Sequence, residues 1–278
     1  MAASEPGSPG AFVRTHDPDR FLTAMFAPPD RREALLALYA FNFEVARVRE
    51  VVSDAMIGQI RLQWWRDALT EIATGRPPRQ HEVVQPLAAA IARHDLPLAV
   101  FERLIDAREL DLDDQPPPDL ASLFAYLDGA SGALVDLALR ILGVEAPAVA
   151  HAAGIGFGLA GLLRALPFHA GADRIYLPAE AMARHGVARK DLTAGQGGAG
   201  LVALVREVAG HAANHLDEAR HLSRDLPRAA VPALLPVTVA RGWLKDLGRN
   251  GHDPFAAPAP RPLARLAAVT VAGLRGRI

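Results

Sequence analysis

The run Leu35-Leu-Ala-Leu-Tyr-Ala-Phe41, continuing as Asn42-Phe-Glu-Val-Ala-Arg-Val-Arg-Glu50, sets the register of a long helix. Its apolar residues recur at spacings of three and four: Leu35, Leu38, Tyr39 and Phe43, then Val45, Val48, Val51 and Val52. That period gathers them on one face of an α-helix over 31–50. Asp30 stands where an N-cap is needed, with Glu33 as its capping-box partner. The same period continues outward. Helices are expected over 55–73, 83–94, 98–110, 120–127, 131–142, 147–166, 201–222, 229–247 and 263–274. Gly75, Pro77-Pro78, Gln115-Pro-Pro-Pro118 and Gly143 punctuate them. Arg174-Ile-Tyr-Leu-Pro178 reads as extended, and no strand–helix alternation occurs. The pattern predicts a single all-α domain over 20–278, behind a flexible Pro/Gly/Ser-rich tail over 1–19.

Composition narrows the chemistry. The 278 residues carry Lys+Arg 30 against Asp+Glu 31, a net charge of −1, so no strongly basic surface is offered to nucleic acid. Half of the residues are hydrophobic, enough for a large core. Cysteine is absent, which excludes disulfides, thiolate zinc sites and cysteine nucleophiles. The longest uncharged stretches, near 152–163 and 229–240, contain Gly or Pro and fall short of the ~20 residues a bilayer crossing needs. A soluble cytoplasmic protein is the default expectation.

Individual motifs are weak alone. Gly154, Gly156, Gly158 and Gly161 superficially resemble a dinucleotide fingerprint, but no strand precedes them. A helix so rich in small residues packs closely against another backbone or a ligand. His211 and His215 are one turn apart without the glutamate of a zincin between them, and read as a solvated face. The acidic run Asp106, Glu109, Asp111, Asp113 and Asp114 likewise reads as a solvated helix end. Trp64-Trp65, Tyr39, Phe41 and Phe43 read as core aromatics.

Three stretches together carry a resemblance. Leu35–Glu50 is similar to the first signature of the squalene/phytoene synthase family, ALYAFCR-x-VDDIVD. Gly154–Arg164 through Arg174–Pro178 is similar to its second signature, without a gap, and Trp64-Trp65-Arg66-Asp67-Ala68-Leu69 resembles its WWR-x-x-L helix. The resemblance implies an isoprenoid synthase-type helical bundle with a central cavity. It also implies head-to-head joining of two allylic diphosphates, with Mg²⁺ held by carboxylates and stabilising the departing diphosphate.

The matching positions depart from that chemistry. Ala46 and Arg47 stand where the first two aspartates belong and Glu50 stands for the third; Ala165 and His169 replace the second pair. Gly158 and Gly161 replace a glutamine and an asparagine, and Phe43 replaces an arginine. Glu50, Arg164, Arg174 and Tyr176 survive, and Asp54, one turn beyond Glu50, is a candidate to rebuild a carboxylate pair. No catalytic residue and no metal ligand is therefore expected; Mg²⁺ enters only if the alternative, an active prenyltransferase, holds. The expected diphosphate or lipid pocket comprises Phe43, Arg47, Glu50, Asp54, Gly158, Gly161, Arg164, His169, Arg174 and Tyr176. There Arg47, Arg164 and His169 would meet phosphate directly, or Arg47 would pair with Glu50 or Asp54.

A branch of the same family resembles the chain in these losses. It shares Ala40-Phe-Asn-Phe-Glu, Ser53, Ile57-Gly58, Leu112-Asp-Asp, Leu163-Arg-Ala and Pro167-Phe-His. What that likeness implies is a non-catalytic role in assembling respiratory complex I, with complex I subunits or assembly intermediates as partners. An isoprenoid or quinone-like lipid is the implied ligand, and the inner membrane (its matrix side in an organelle) the implied surface. Leu263–Ile278, apolar with arginines at its ends, is the candidate membrane helix.

Overall fold

Asp54 accepts a hydrogen bond from the Met56 amide at 2.7 Å, and Asp119 accepts one from the Ser122 amide at 2.7 Å. These caps fix two helix starts where the sequence places them. The computed structural model describes residues 8–52, 54–256 and 262–278. Among them the elements are helices: α1 Pro9–His16, α2 Pro18–Ala24, α3 Pro29–Ala46, α4 Val48–Val51, α5 Ala55–Ala73, α6 Val84–His94, α7 Leu98–Glu109 and α8 Leu120–Leu127. After a π turn, Asp128–Gly132, follow α9 Ala133–Ile141, α10 Pro147–Gly171, α11 Ala179–Arg184, α12 Arg189–Thr193, α13 Ala199–Leu222, α14 Val231–Arg249 and α15 Pro262–Arg275.

The tail is folded where it is described. Ser8 caps α1, Asp17 caps α2, and a proline opens each helix. Val13 is buried and Phe12 packs edge-on against Phe43, with centroids 5.4 Å apart. The flexible-tail expectation for 9–19 fails because two cap–proline starts outweigh the Pro/Gly/Ser composition; residues 1–7 lie outside the described residues.

α3 differs at both ends from expectation. Pro28 holds the N-cap position, so Asp30 falls in the first turn, where its charge favours the helix dipole. The helix stops at Ala46, and Val52 is extended (φ −121°, ψ 142°). Glu50 and Asp54 therefore do not share a helix face. Pro147–Leu166, expected to end before Pro167, continues through it to Gly171.

α10 is the axis, packed on α13, α14 and the π turn. At its centre a side-chain carbon on Gly154 would overlap the backbone of Gly132. On Gly156 it would lie 2.8 Å from Leu216, and on Gly158 2.6 Å from Leu127. Of the two roles open to this glycine run, close helix packing is the one seen. The core around α3, α7 and α9 is filled by Leu35, Leu38, Phe41, Phe101, Leu104, Ile105 and Leu137, all fully buried. Leu120–Ile141 and Pro147–Gly171 are long and apolar enough to cross a membrane, but both are mostly buried as core helices.

Candidate functional site

At the end of α3, Phe43 stacks on His16 with centroids 4.7 Å apart. Arg47 donates to Glu44 at 3.2 Å and lies 5.6 Å from the Phe43 ring centre. The expected partners Glu50 and Asp54 are not used: the helix break turns Glu50 into solvent, and Asp54 is spent as the α5 cap. Phe43, in place of the family's arginine, closes this wall with aromatic contact to α1.

At the other wall, His169 leans on Tyr176 with centroids 4.8 Å apart. Burial holds its imidazole below the usual range. Arg174 bridges the walls, donating to the Arg49 carbonyl at 2.8 Å. Behind Tyr176 lies a polar network that sequence reasoning missed. The Asp111 Oδ1 accepts from the Tyr126 hydroxyl at 2.8 Å and the Tyr176 hydroxyl at 3.0 Å. Its Oδ2 accepts from Arg108 at 3.2 Å, and Arg108 also donates to the Tyr126 oxygen at 2.8 Å. Burial raises both phenols above the ordinary tyrosine range, so they stay protonated as donors, and Arg108 stays charged. Asp111 is buried, where the sequence suggested a solvated carboxylate.

Arg164 takes a third direction. Its guanidinium lies 4.6 Å from the Trp243 ring centre and 3.7 Å from Asp19, which also meets Arg265 at 3.3 Å. A side-chain carbon on Gly161 would lie 4.0 Å from Trp243. The ten expected pocket residues are thus dispersed among Phe43–Arg47, His169–Arg174–Tyr176, Arg164–Gly161, the packed Gly158, the solvent-exposed Glu50 and the α5 cap Asp54. Space is divided accordingly. A cleft of about 480 Å³ runs between α10, α14 and α15, past Arg164, Trp243 and Arg265. Another, of about 460 Å³, is lined by Asp111, Pro116, Pro117, Arg174 and Tyr176. Voids of about 20 and 10 Å³ remain within the bundle.

These residues do not fit Mg²⁺ and diphosphate. Ala46 and Ala165 offer no ligand atom, Arg47 brings a like charge, and Asp111 already accepts three hydrogen bonds. Among the described residues no group of three His, Asp or Glu is arranged to hold a metal.

The depressed histidines have a consequence for stability. His94, His169, His215 and His252 are all held below the usual value by burial. Each binds its proton more readily when unfolded, so stability is full above the unfolded value near 6.5 and falls as the pH drops below it. Thermal unfolding at pH 7.5 and 5.5 is expected to show a lower Tm at pH 5.5. His169→Gln should narrow that gap; an unchanged gap would remove His169 as a contributor.

Comparison with known proteins agrees with this architecture. The squalene/phytoene synthase family profile matches residues 13–268. A Mus musculus protein, NADH dehydrogenase (ubiquinone) complex I, assembly factor 6, is 32% identical over 263 residues, covering 91% of this chain and 79% of that one. A presqualene diphosphate synthase of Rhodopseudomonas palustris is 28% identical over 269 residues, covering 90% of each. A dehydrosqualene synthase crystal structure superposes with a TM-score of 0.82 at 22% identity, covering 95% of this chain and 94% of that one. With the two signatures on α3 and α10 and the family profile spanning nearly every helix of the bundle, this chain belongs to the squalene/phytoene synthase family.

Proposed function

We propose that this chain is a non-catalytic member of its family that serves in the assembly of respiratory complex I, NADH:quinone oxidoreductase. The observation that carries this is the state of the two motif walls: Ala46, Arg47, Ala165 and His169 supply no carboxylate, and Glu50 points to solvent. A preorganised group of this kind is typically worth about 10²–10³ in rate. The likeness to complex I assembly factor 6 across nine-tenths of the chain supports the same reading. Deleting the gene in its host is expected to lower the amount of assembled complex I while quinol oxidation downstream is unchanged. Normal complex I with depleted squalene-type products would reverse the reading in favour of an active prenyltransferase.

The partners under this reading are complex I subunits or assembly intermediates, met at the membrane. α15 supplies a means of reaching it. One edge packs on the bundle through Val269, which is fully buried, while Leu263 is 79% and Leu274 68% exposed. Arg275 and Arg277 are exposed at its end. An apolar face with basic flanks gains roughly 1 kcal/mol per cation on anionic lipid. Leu263→Glu with Leu274→Glu should reduce flotation on anionic liposomes by about tenfold. Equal flotation of the variant would remove α15 as the contact.

The 480 Å³ cleft is of a size for an isoprenoid or quinone-like lipid bound without turnover, with Arg164 at its rim. Calorimetric titration with farnesyl diphosphate should give the same heat with and without Mg²⁺, since no metal is required. No heat in either condition would end the lipid reading.

A further inference from the structure

The start of α5 exposes apolar side chains to solvent. Its core face is Gly58, Leu62, Trp65, Ala68 and Leu69. Away from that face, within about one turn, Met56 is 69%, Ile60 63% and Ile57 48% exposed. Leu112 packs over Gly58, which sets the turn Leu110–Leu112 against this helix and leaves Leu110 61% exposed beside it. Exposed apolar side chains scattered singly need no explanation; several on adjoining elements mark a contact surface.

The surroundings decide what kind of contact. Glu102, Asp106 and Glu109 of α7 converge on the single guanidinium of Arg66, at 3.6, 2.7 and 2.7 Å. Asp114 is matched by Arg49 at 2.6 Å. Among the described residues, Glu50 and Asp113 have no ion-pair partner, nor have Arg61, Arg103 and Arg174. With Asp54 at the start of α5, seven carboxylates stand against the five guanidiniums of Arg49, Arg61, Arg66, Arg103 and Arg174, so the rim is acidic by two charges, the opposite of the arginine-flanked face of α15. Anionic lipid would be repelled here. A cationic polypeptide would be attracted, and the charges would steer its approach.

We propose that the face formed by Met56, Ile57, Ile60 and Leu110 docks an apolar polypeptide segment flanked by lysines or arginines. That chemistry belongs to the end of a membrane-spanning helix on its positively charged side. The proposal rests on the assembly reading for the origin of such a partner, and on the patch and its rim for the chemistry. The docked segment lays its apolar side chains on Met56 and Ile60, and its cations reach the surplus carboxylates Glu109, Asp113 and Glu50.

The test uses the full chain and a short Ala/Leu helical peptide with Lys-Lys at each end, beside a twin with Glu-Glu ends, followed by fluorescence anisotropy. The Lys-ended peptide should bind at least about tenfold more tightly than its twin, and added salt should weaken it. Ile60→Glu and Met56→Glu, both on the solvent face, should each reduce that binding about tenfold with circular dichroism unchanged. Equal binding of the two peptides, no binding of either, or full binding by both variants would overturn the proposal. So would loss of flotation on anionic vesicles in Ile60→Glu, which would make the face a lipid contact. If the peptide fails to bind while deletion of the gene still lowers complex I, the docking face falls and the assembly reading stands.

Discussion

Asp111→Ala is expected to cost about 3–5 kcal/mol, because it leaves a largely buried guanidinium without its counter-charge. Arg108 holds Asp111 and the Tyr126 oxygen together, and both tyrosines donate to the same carboxylate oxygen. Removing that oxygen strands two hydroxyls and one cation at once. Tyr176→Phe removes one donor, and should cost only about 0.5–1.5 kcal/mol. Replacing the pair together, Arg108→Met with Asp111→Leu, should recover only the part of the loss due to the unpaired cation, since the Tyr126 and Tyr176 hydroxyls still lack an acceptor. Urea unfolding followed by circular dichroism orders the three variants. An Asp111→Ala variant within 1 kcal/mol of the parent, by the scale of exposed pairs, would mean that the network contributes nothing. The network ties α7, α8 and the segment after α10 into one strut.

Gly154→Ala is expected to be the next most damaging change, at about 3 kcal/mol. The added methyl meets the Gly132 backbone, which cannot swing aside as a side chain can. The two glycines let α10 cross the π turn closely. Gly161→Ala is the control on the same helix. Its methyl would reach Trp243 at 4.0 Å, an ordinary contact, and alanine's better helix propensity is worth about 1 kcal/mol. Calorimetry should therefore show a Tm several degrees lower for Gly154→Ala and unchanged or higher for Gly161→Ala. A neutral Gly154→Ala would return the glycine run to a ligand-lining role.

The sequence reading succeeded where the signal is local. The limits of α5, those of α8 and the two family signatures all lie within one or two turns of chain. It failed where a local signal was ambiguous. The apolar period runs unbroken from Val45 through Val52, so nothing marks the stop at Ala46 or the extended Val52 that separates Glu50 from Asp54. Composition over the first residues hid the Ser8-Pro9 and Asp17-Pro18 starts. The site was least legible. Asp111 is one carboxylate in an acidic run, and only contacts to Tyr126 and Tyr176, 15 and 65 residues away, distinguish it from its solvated neighbours. Arg164 and Arg174 lie ten residues apart in the sequence, yet the chain turns after α10 and sends one to Trp243 and the other to Arg49.

The most direct measurement is pyrophosphate release from farnesyl and geranylgeranyl diphosphate by the purified full chain, with and without Mg²⁺. The presqualene diphosphate synthase of Rhodopseudomonas palustris serves as the active comparison. With Glu50 the one carboxylate left at the motif positions and turned to solvent, no Mg²⁺-dependent release above the buffer rate is expected. Release that requires Mg²⁺ and disappears in Glu50→Gln would contradict the account, because it would show a leaving diphosphate still being stabilised by a metal at these walls.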